Sequence, residues 1–282
     1  MKCYLCPRNC GADRDKGERG FCMAPALPVV ARAAAHYWEE PCISGTRGSG
    51  AVFFSGCNMR CAYCQNREIS AFIKGRETDA SELRDIFLRL RDTGVHNINL
   101  VTPTPYIDTI AAALKDPIGI PVVYNCGGYE KTESLKRLEG LIDIYLPDVK
   151  YAHGDYFAHA SAAAAEMFRQ TGKYVVDGDG IMKRGVIVRH LVLPGQLDNS
   201  KDVLEYFAES FERGSVMLSL MSQYTPNGFG GPERRLTGEE YREVVDYMYM
   251  LGIRDGYVQE PDSSCGDYVP AFDLTGVLTD EH

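Results

Sequence analysis

Hydrophobic positions along this chain alternate between short apolar runs and longer amphipathic stretches. Runs suited to strands occupy residues 51–55, 97–102, 121–125, 142–146, 186–193 and 215–221. Between them the period lengthens to that of a helix. Leu83, Ile86, Phe87 and Leu90 fall on one helical face, after the capping-box sequence Asp79-Ala80-Ser81-Glu82 and before Gly94, which ends the helix. Further helices are expected at about 106–115, 132–138, 160–170 and 202–211, with a last one opened by Thr237-Gly238-Glu239-Glu240. Six strands, each followed by a helix, argue for parallel strands joined by right-handed crossovers. Six units are too few to close an eightfold barrel. The pattern therefore predicts an α/β fold, an open (β/α)6 partial TIM barrel over residues 45–282 with a C-terminal closing segment, preceded by a small Cys-rich metal-binding extension over 1–44.

Composition narrows the class. A hydrophobic fraction of 45% and a charged fraction of 24% over 282 residues are ordinary for a globular chain with an ample core. The net charge of −9 makes a phosphate backbone a poor partner, so no nucleic acid is expected. No run approaches the ~20 apolar residues of a membrane span, and Met1-Lys2-Cys3-Tyr4-Leu5-Cys6 lacks the apolar core of a signal peptide. A cytoplasmic location without membrane attachment is expected. Ten cysteines in such a chain read as metal ligands and thiols more readily than as disulfides.

Three of them follow the first strand. Phe53-Phe54-Ser55-Gly56-Cys57-Asn58-Met59-Arg60-Cys61-Ala62-Tyr63-Cys64-Gln65-Asn66 carries the spacing C-x-x-x-C-x-x-C. Thiolates this close in sequence suit an iron–sulfur cluster or zinc. Structural zinc usually takes four protein ligands, whereas three thiolates on a [4Fe–4S] cubane leave one iron open to a further ligand. A zinc knuckle or a set of buried thiols is the plainer alternative. Cys3, Cys6, Cys10 and Cys22 open the chain around a polar, glycine-rich loop, a set that suits a structural zinc or an auxiliary iron–sulfur cluster, with unliganded thiols as the alternative. Cys42 is either a substitute ligand or a small buried hydrophobe.

The cysteine stretch resembles the signature of radical S-adenosylmethionine (SAM) enzymes. Within that superfamily it is most similar to the activating enzymes of glycyl radical proteins, the pyruvate formate-lyase activating enzyme among them. The resemblance covers roughly residues 45–225. It implies a [4Fe–4S] cluster on Cys57, Cys61 and Cys64, SAM chelating the fourth iron through its amino and carboxylate groups, and Tyr63 in the adenine site. A flavodoxin- or ferredoxin-type electron donor, an anaerobic or microaerobic setting, and a glycyl radical protein or a peptide as substrate follow from it.

In α/β barrels chemistry gathers where strands end. The second strand ends in Val101-Thr102-Pro103-Thr104-Pro105, where the activating enzymes carry Gly-Gly-Glu for the SAM amino group. Here Thr102 and Thr104 offer hydroxyls and carbonyls instead, or the prolines merely fix a turn. The third ends in Tyr124-Asn125-Cys126-Gly127-Gly128-Tyr129; Asn125 is counted as a cofactor contact, Cys126 as a packed thiol, and the glycines serve a close approach or a tight turn. The fourth ends in Leu146-Pro147-Asp148-Val149-Lys150, similar to the family's Asp-x-Lys; side chains two apart on an extended segment face one cavity, and by resemblance Asp148 and Lys150 contact the ribose and carboxylate region of SAM. Arg189, on the fifth, falls at the family's arginine position and would meet a SAM or substrate carboxylate. His190 on the opposite face reads as a packing residue. Tyr224 falls about where relatives place a histidine. The loop from 224 to 235 suits a lid or a docking surface. Cys265 could donate a hydrogen atom to a substrate radical, or be a buried thiol.

These readings give a radical enzyme that takes the Cα hydrogen of a glycine in a partner protein. The alternatives are a radical SAM enzyme modifying a peptide or small molecule, and a non-catalytic iron–sulfur or zinc scaffold.

Overall fold

The structure is a computed structural model that describes residues 2–260 and 269–278. Its strands are β1 (Val29–His36), β2 (Ser49–Phe54), β3 (Arg76–Glu77), β4 (Ile98–Val101), β5 (Val122–Cys126), β6 (Ile144–Pro147), β7 (Val175–Val176), β8 (Met182–Leu191), β9 (Met217–Met221) and β10 (Gly256–Val258). The helices are α1 (Pro41–Ser44), α2 (Arg67–Ser70), α3 (Ala80–Asp92), α4 (Ile107–Ala113), α5 (Thr132–Leu135), α6 (Gly154–Thr171), α7 (Leu197–Ser210) and α8 (Gly238–Met250). The strand order is β10-β9-β8-β6-β5-β4-β2-β1-β3, with β7 paired to β8. From β2 to β10 every neighbour along that path is parallel. All six expected strands are present as β2, β4, β5, β6, β8 and β9, and the sheet does not close.

Alternation along each strand divides the core in two. Outward residues such as Val52, Phe54, Leu100, Tyr124, Val188 and Leu220 pack under the helices. The capping box at Asp79 and Glu82 opens α3 as expected, and Leu83, Ile86, Phe87 and Leu90 are its buried face. Burial of each such side chain stabilises by about 1.5–3 kcal/mol. Inward, Val123, Ile144, Leu146, Ile187 and Met217 form a floor with Cys42 and Ile43 of α1. Cys42 is thus a buried hydrophobe of that floor. Higher on the same inner faces the side chains turn polar, at Asn99, Asn125, Arg189 and Ser219, all with little exposure.

Several elements lie outside the expected pattern. β1 runs antiparallel to β2, and its alanines have weak strand preference; the pairing with β2 and a bridge to β3 hold it in place. Residues 29–44, grouped in sequence with the Cys-rich start, therefore supply a strand of the sheet and the barrel floor. β7 forms a hairpin on β8, turned by Asp177, whose carboxylate accepts from the Asp179 and Ile181 amides. Helix α6 begins at Gly154, six residues before the start expected near residue 160, and Phe157 of its first turn packs against the core. From 271 to 277 the chain lies along β1, through Leu274 N–H to Ala31 and Ala33 N–H to Thr275.

His190 is a satisfied core residue. One ring nitrogen lies 2.7 Å from the Val149 carbonyl and the other 2.9 Å from the Ser200 hydroxyl, with no exposure. Burial pulls its pKa down to about 4, so the folded chain holds it neutral. An unfolded chain takes up this proton below its ordinary pKa near 6.5, so the contribution is complete above about pH 6.5 and lost as pH falls toward 4, up to about 3 kcal/mol. Urea unfolding of the wild type and His190→Gln should show their stability difference shrinking across that window; a pH-independent difference would contradict the assignment.

Candidate active site

The loop after β2 carries Cys57, Cys61 and Cys64 to the C-terminal mouth of the sheet. Arg60, between the first two, sits at φ 49, a left-handed turn that reverses the chain. The Met59 amide donates to Cys57 Sγ at 3.4 Å, and the Cys64 amide to the Cys61 carbonyl at 3.1 Å. Neighbours brace the loop from both sides. Asn58 donates to the Tyr129 carbonyl at 2.6 Å, Arg8 to the Asn58 carbonyl at 3.0 Å, and Arg60 to the Phe21 carbonyl at 3.2 Å. On the other side Asn227 donates to the Ala62 carbonyl at 2.9 Å and Arg67 stacks over Phe229 at 4.0 Å, so the 224–235 loop lies against the cysteine loop.

The thiols fit a metal cluster. Burial pushes Cys57 up to about 12, aided by Cys64 and Cys61. Burial also raises Cys61, against the opposing pull of Lys150. Thiols so placed stay protonated at neutral pH unless a metal takes the proton's place. Three cysteine sulfurs on one loop fall one short of the four protein ligands of a structural zinc and suit a [4Fe–4S] cubane with one iron left open.

A cavity of about 210 Å³ adjoins the loop, lined by Cys61, Tyr63 and Cys64 and, from the strand ends, by Asn125, Asp148, Lys150 and Arg189. Arg189 is its electrostatic centre. Its Nε donates to Asp148 at 2.9 Å, one terminal nitrogen to Asn125 at 2.6 Å, and the other pairs with Glu39 at 3.3 Å. Lys150 pairs with the second oxygen of Asp148. Burial would raise Asp148, but Lys150 and Arg189 hold it below the usual carboxylate range. Burial would lower Lys150, and Asp148 overrides it, raising the pKa well above the usual value. Both are therefore charged at neutral pH. Gly128, at φ 79, lets the end of β5 approach β6: a Cβ there would lie 2.1 Å from the Asp148 carbonyl oxygen. Close approach of backbone to backbone explains that glycine.

The structure thus gathers Tyr63, Asn125, Asp148, Lys150 and Arg189 around one cavity beside Cys61 and Cys64. Thr102, Thr104 and Tyr224 do not line it. Thr104 points its hydroxyl at buried Glu130, 2.6 Å away, whose pKa burial raises to about 7. Tyr224 donates to the Pro232 carbonyl at 2.6 Å and meets Tyr63 edge-on at 5.9 Å. Thr102, the residue after β4, sits at φ 63, a strained conformation for a β-branched residue. Cys126 is buried in the outer core. Cys265 lies outside the described residues. Cys3 and Cys22 are buried, Cys6 is half-buried and Cys10 exposed, with Arg14 donating to Cys22 Sγ at 3.4 Å. Sequence reasoning missed Trp38, Glu39 and Glu40, which follow β1; an acidic pair wedged between Trp38 and the floor residue Ile43 was the available signal.

Against this geometry the comparisons are direct. The Radical SAM superfamily profile matches residues 51–221. The chain belongs to the radical SAM superfamily. It is 27% identical over 259 residues to the uncharacterized protein MJ0674 of Methanocaldococcus jannaschii, covering 86% of this chain and 73% of that one. It is 27% identical over 164 residues to the pyruvate formate-lyase-activating enzyme of Clostridium pasteurianum, covering 54% and 65%. Among solved structures, Streptococcus suis SuiB bound to S-adenosylmethionine superposes with a TM-score of 0.50 at 11% identity, over 74% of this chain and 49% of SuiB, a likeness of fold. The chain spans about half the length of SuiB. Family membership implies a [4Fe–4S] cluster and SAM, and the relation to the pyruvate formate-lyase-activating enzymes is a distant one.

Removing Arg189 leaves Glu39 buried without its cation and Asp148 with Lys150 alone, which costs about 3–5 kcal/mol. Arg189→Met should lower stability by that amount in denaturant unfolding. Adding Glu39→Gln should recover part of the loss. Strict additivity of the two substitutions would show that the pair is not coupled.

Proposed function

We propose that this chain is a SAM-cleaving radical enzyme that acts on a residue of a protein or peptide, as the activating enzymes of glycyl radical proteins do. The observation that carries it is the single cavity shared by Cys61, Cys64 and the charged strand ends Asp148, Lys150 and Arg189. Cys57, Cys61 and Cys64 would hold the [4Fe–4S] cluster, which when bound and reduced supplies the electron that splits SAM into methionine and a 5′-deoxyadenosyl radical. The protein's own work is to bind, orient and exclude water. Lys150 and Arg189 are the cations available to the SAM carboxylate, and Asp148 holds both in place. Tyr63, held by a 2.9 Å hydrogen bond to Tyr151, offers an aromatic wall for adenine. A flavodoxin- or ferredoxin-type protein would deliver the electron.

The N-terminal cysteines have a supporting part in this reading. Their segment braces the cluster loop through Arg8 and Phe21 and reaches the loops after β4 and β5 through Arg14 to Pro105 and Lys131 to Tyr4. A metal on Cys3, Cys6, Cys10 and Cys22 would stiffen that brace. In the Cys57→Ala/Cys61→Ala/Cys64→Ala variant, metal analysis should then still find iron or zinc; its complete loss would argue against a second centre.

The catalytic reading is tested by anaerobic reconstitution followed by dithionite and SAM. The wild type should form 5′-deoxyadenosine, the triple cysteine variant none, and Lys150→Met about 100-fold less. No product from a fully reconstituted wild type would refute it.

A further inference from the structure

Adjoining that cavity is a second compartment of about 260 Å³, between the segment after β1 and the strands β9 and β10. Trp38, Glu39, Arg189, Met221 and Gln223 line both compartments; Glu40, Ser219 and Tyr257 line only the second. Glu40 is the feature that the site described so far does not use. Its side chain is 9% exposed, and its Oε2 is buried with no hydrogen-bond partner among the described residues. Leaving such an oxygen unpaired is expensive, and a carboxylate more so.

Burial pushes the Glu40 carboxyl up, and nearby Arg189 opposes that only in part. Arg189 already serves Asp148 and Glu39, and Lys150 serves Asp148. Three carboxylates, Glu39, Glu40 and Asp148, thus share two cations. A cationic donor would both fill the open oxygen of Glu40 and hold its carboxyl ionised. The walls suit a cation as well, since Trp38 and Tyr257 offer aromatic faces. SAM's own charge is not the answer, because Glu40 does not line the compartment beside Cys61 and Cys64.

We propose that this second compartment binds a primary ammonium or guanidinium group of the substrate, seated on Glu40 and supplied by a basic side chain of a peptide or by a small amine. This rests on the catalytic reading above and names the substrate class for the same barrel.

Trp38 is the chain's one tryptophan, so its fluorescence reports the compartment directly. The reconstituted full chain is titrated with SAM present. The probes are the peptide Gly-Gly-Lys-Gly-Gly, acetylated at its N-terminus and amidated at its C-terminus, and its norleucine counterpart capped in the same way, n-butylammonium and 1-pentanol, and potassium chloride at matched ionic strength. The lysine peptide, with or without the free amine, should saturate at concentrations at least about tenfold below the neutral probes, a margin of about 1.4 kcal/mol. Glu40→Gln should remove that margin. Saturation by the peptide alone assigns a basic side chain, and saturation by both admits a small amine. Equal binding of charged and neutral probes, an unchanged margin in Glu40→Gln, or the same response to potassium would overturn the proposal. Should Glu40→Gln fail to fold, the wild-type margin decides. 5′-Deoxyadenosine formation by the wild type, measured in the same preparation, separates failure of this inference from failure of the catalytic reading.

Discussion

One guanidinium sets the terms for this barrel. Arg189 rises from the middle of the sheet into an interior that is apolar below it, and it survives there because Asp148, Asn125 and Glu39 each occupy one of its nitrogens. These partners come from three separate stretches of chain. Asp148 fixes the end of β6, Asn125 the end of β5, and Glu39 the segment that turns under the barrel after β1. Burying charge in this way stabilises little by itself, since desolvation cancels much of the attraction. Its effect is positional: the strand ends that face the cysteine loop cannot shift without unpairing a buried ion.

From that constraint follows the division of the interior. The hydrophobic floor of Ile43, Ile144, Ile187 and Met217 seals the N-terminal side, and the polar side chains above it face a cavity, not a core. The cysteine loop closes the mouth, held from outside by the N-terminal segment and from the far strand by the 224–235 loop. What remains is a space wet enough for a charged cofactor and walled enough to keep a reactive species from solvent. Family membership assigns the cofactor pair, and the residues assign where each charge would rest.

The parallel strands, the α3 and α8 caps and the cysteine loop were legible because each depends on neighbours in sequence. Asp79 and Thr237 cap their helices through local bonds, and the alternation of Val188, Arg189 and His190 already states which face is which. His190 read correctly as packing for the same reason. β1 was illegible because its alanines acquire strand character only from β2, on the far side of the floor helix. Glu39 and Glu40 were missed because an acidic pair before a proline looks like a solvated turn; only the tertiary fold carries them beneath Arg189. Thr104 shows the converse, a strand-end hydroxyl that sequence places near the cofactor and the fold turns toward Glu130.

On the proposed reading, Cys57, Cys61 and Cys64 would hold a cluster that offers one iron to SAM. Electron paramagnetic resonance of the reduced, reconstituted protein tests it most directly, with SAM labelled by ¹⁵N in the amino group and ¹⁷O in the carboxylate. The cluster signal should shift on adding SAM and show hyperfine coupling to both labels. A spectrum indifferent to SAM, or coupled to neither label, would mean that the fourth iron is not available and that the cavity beside the cluster serves another purpose.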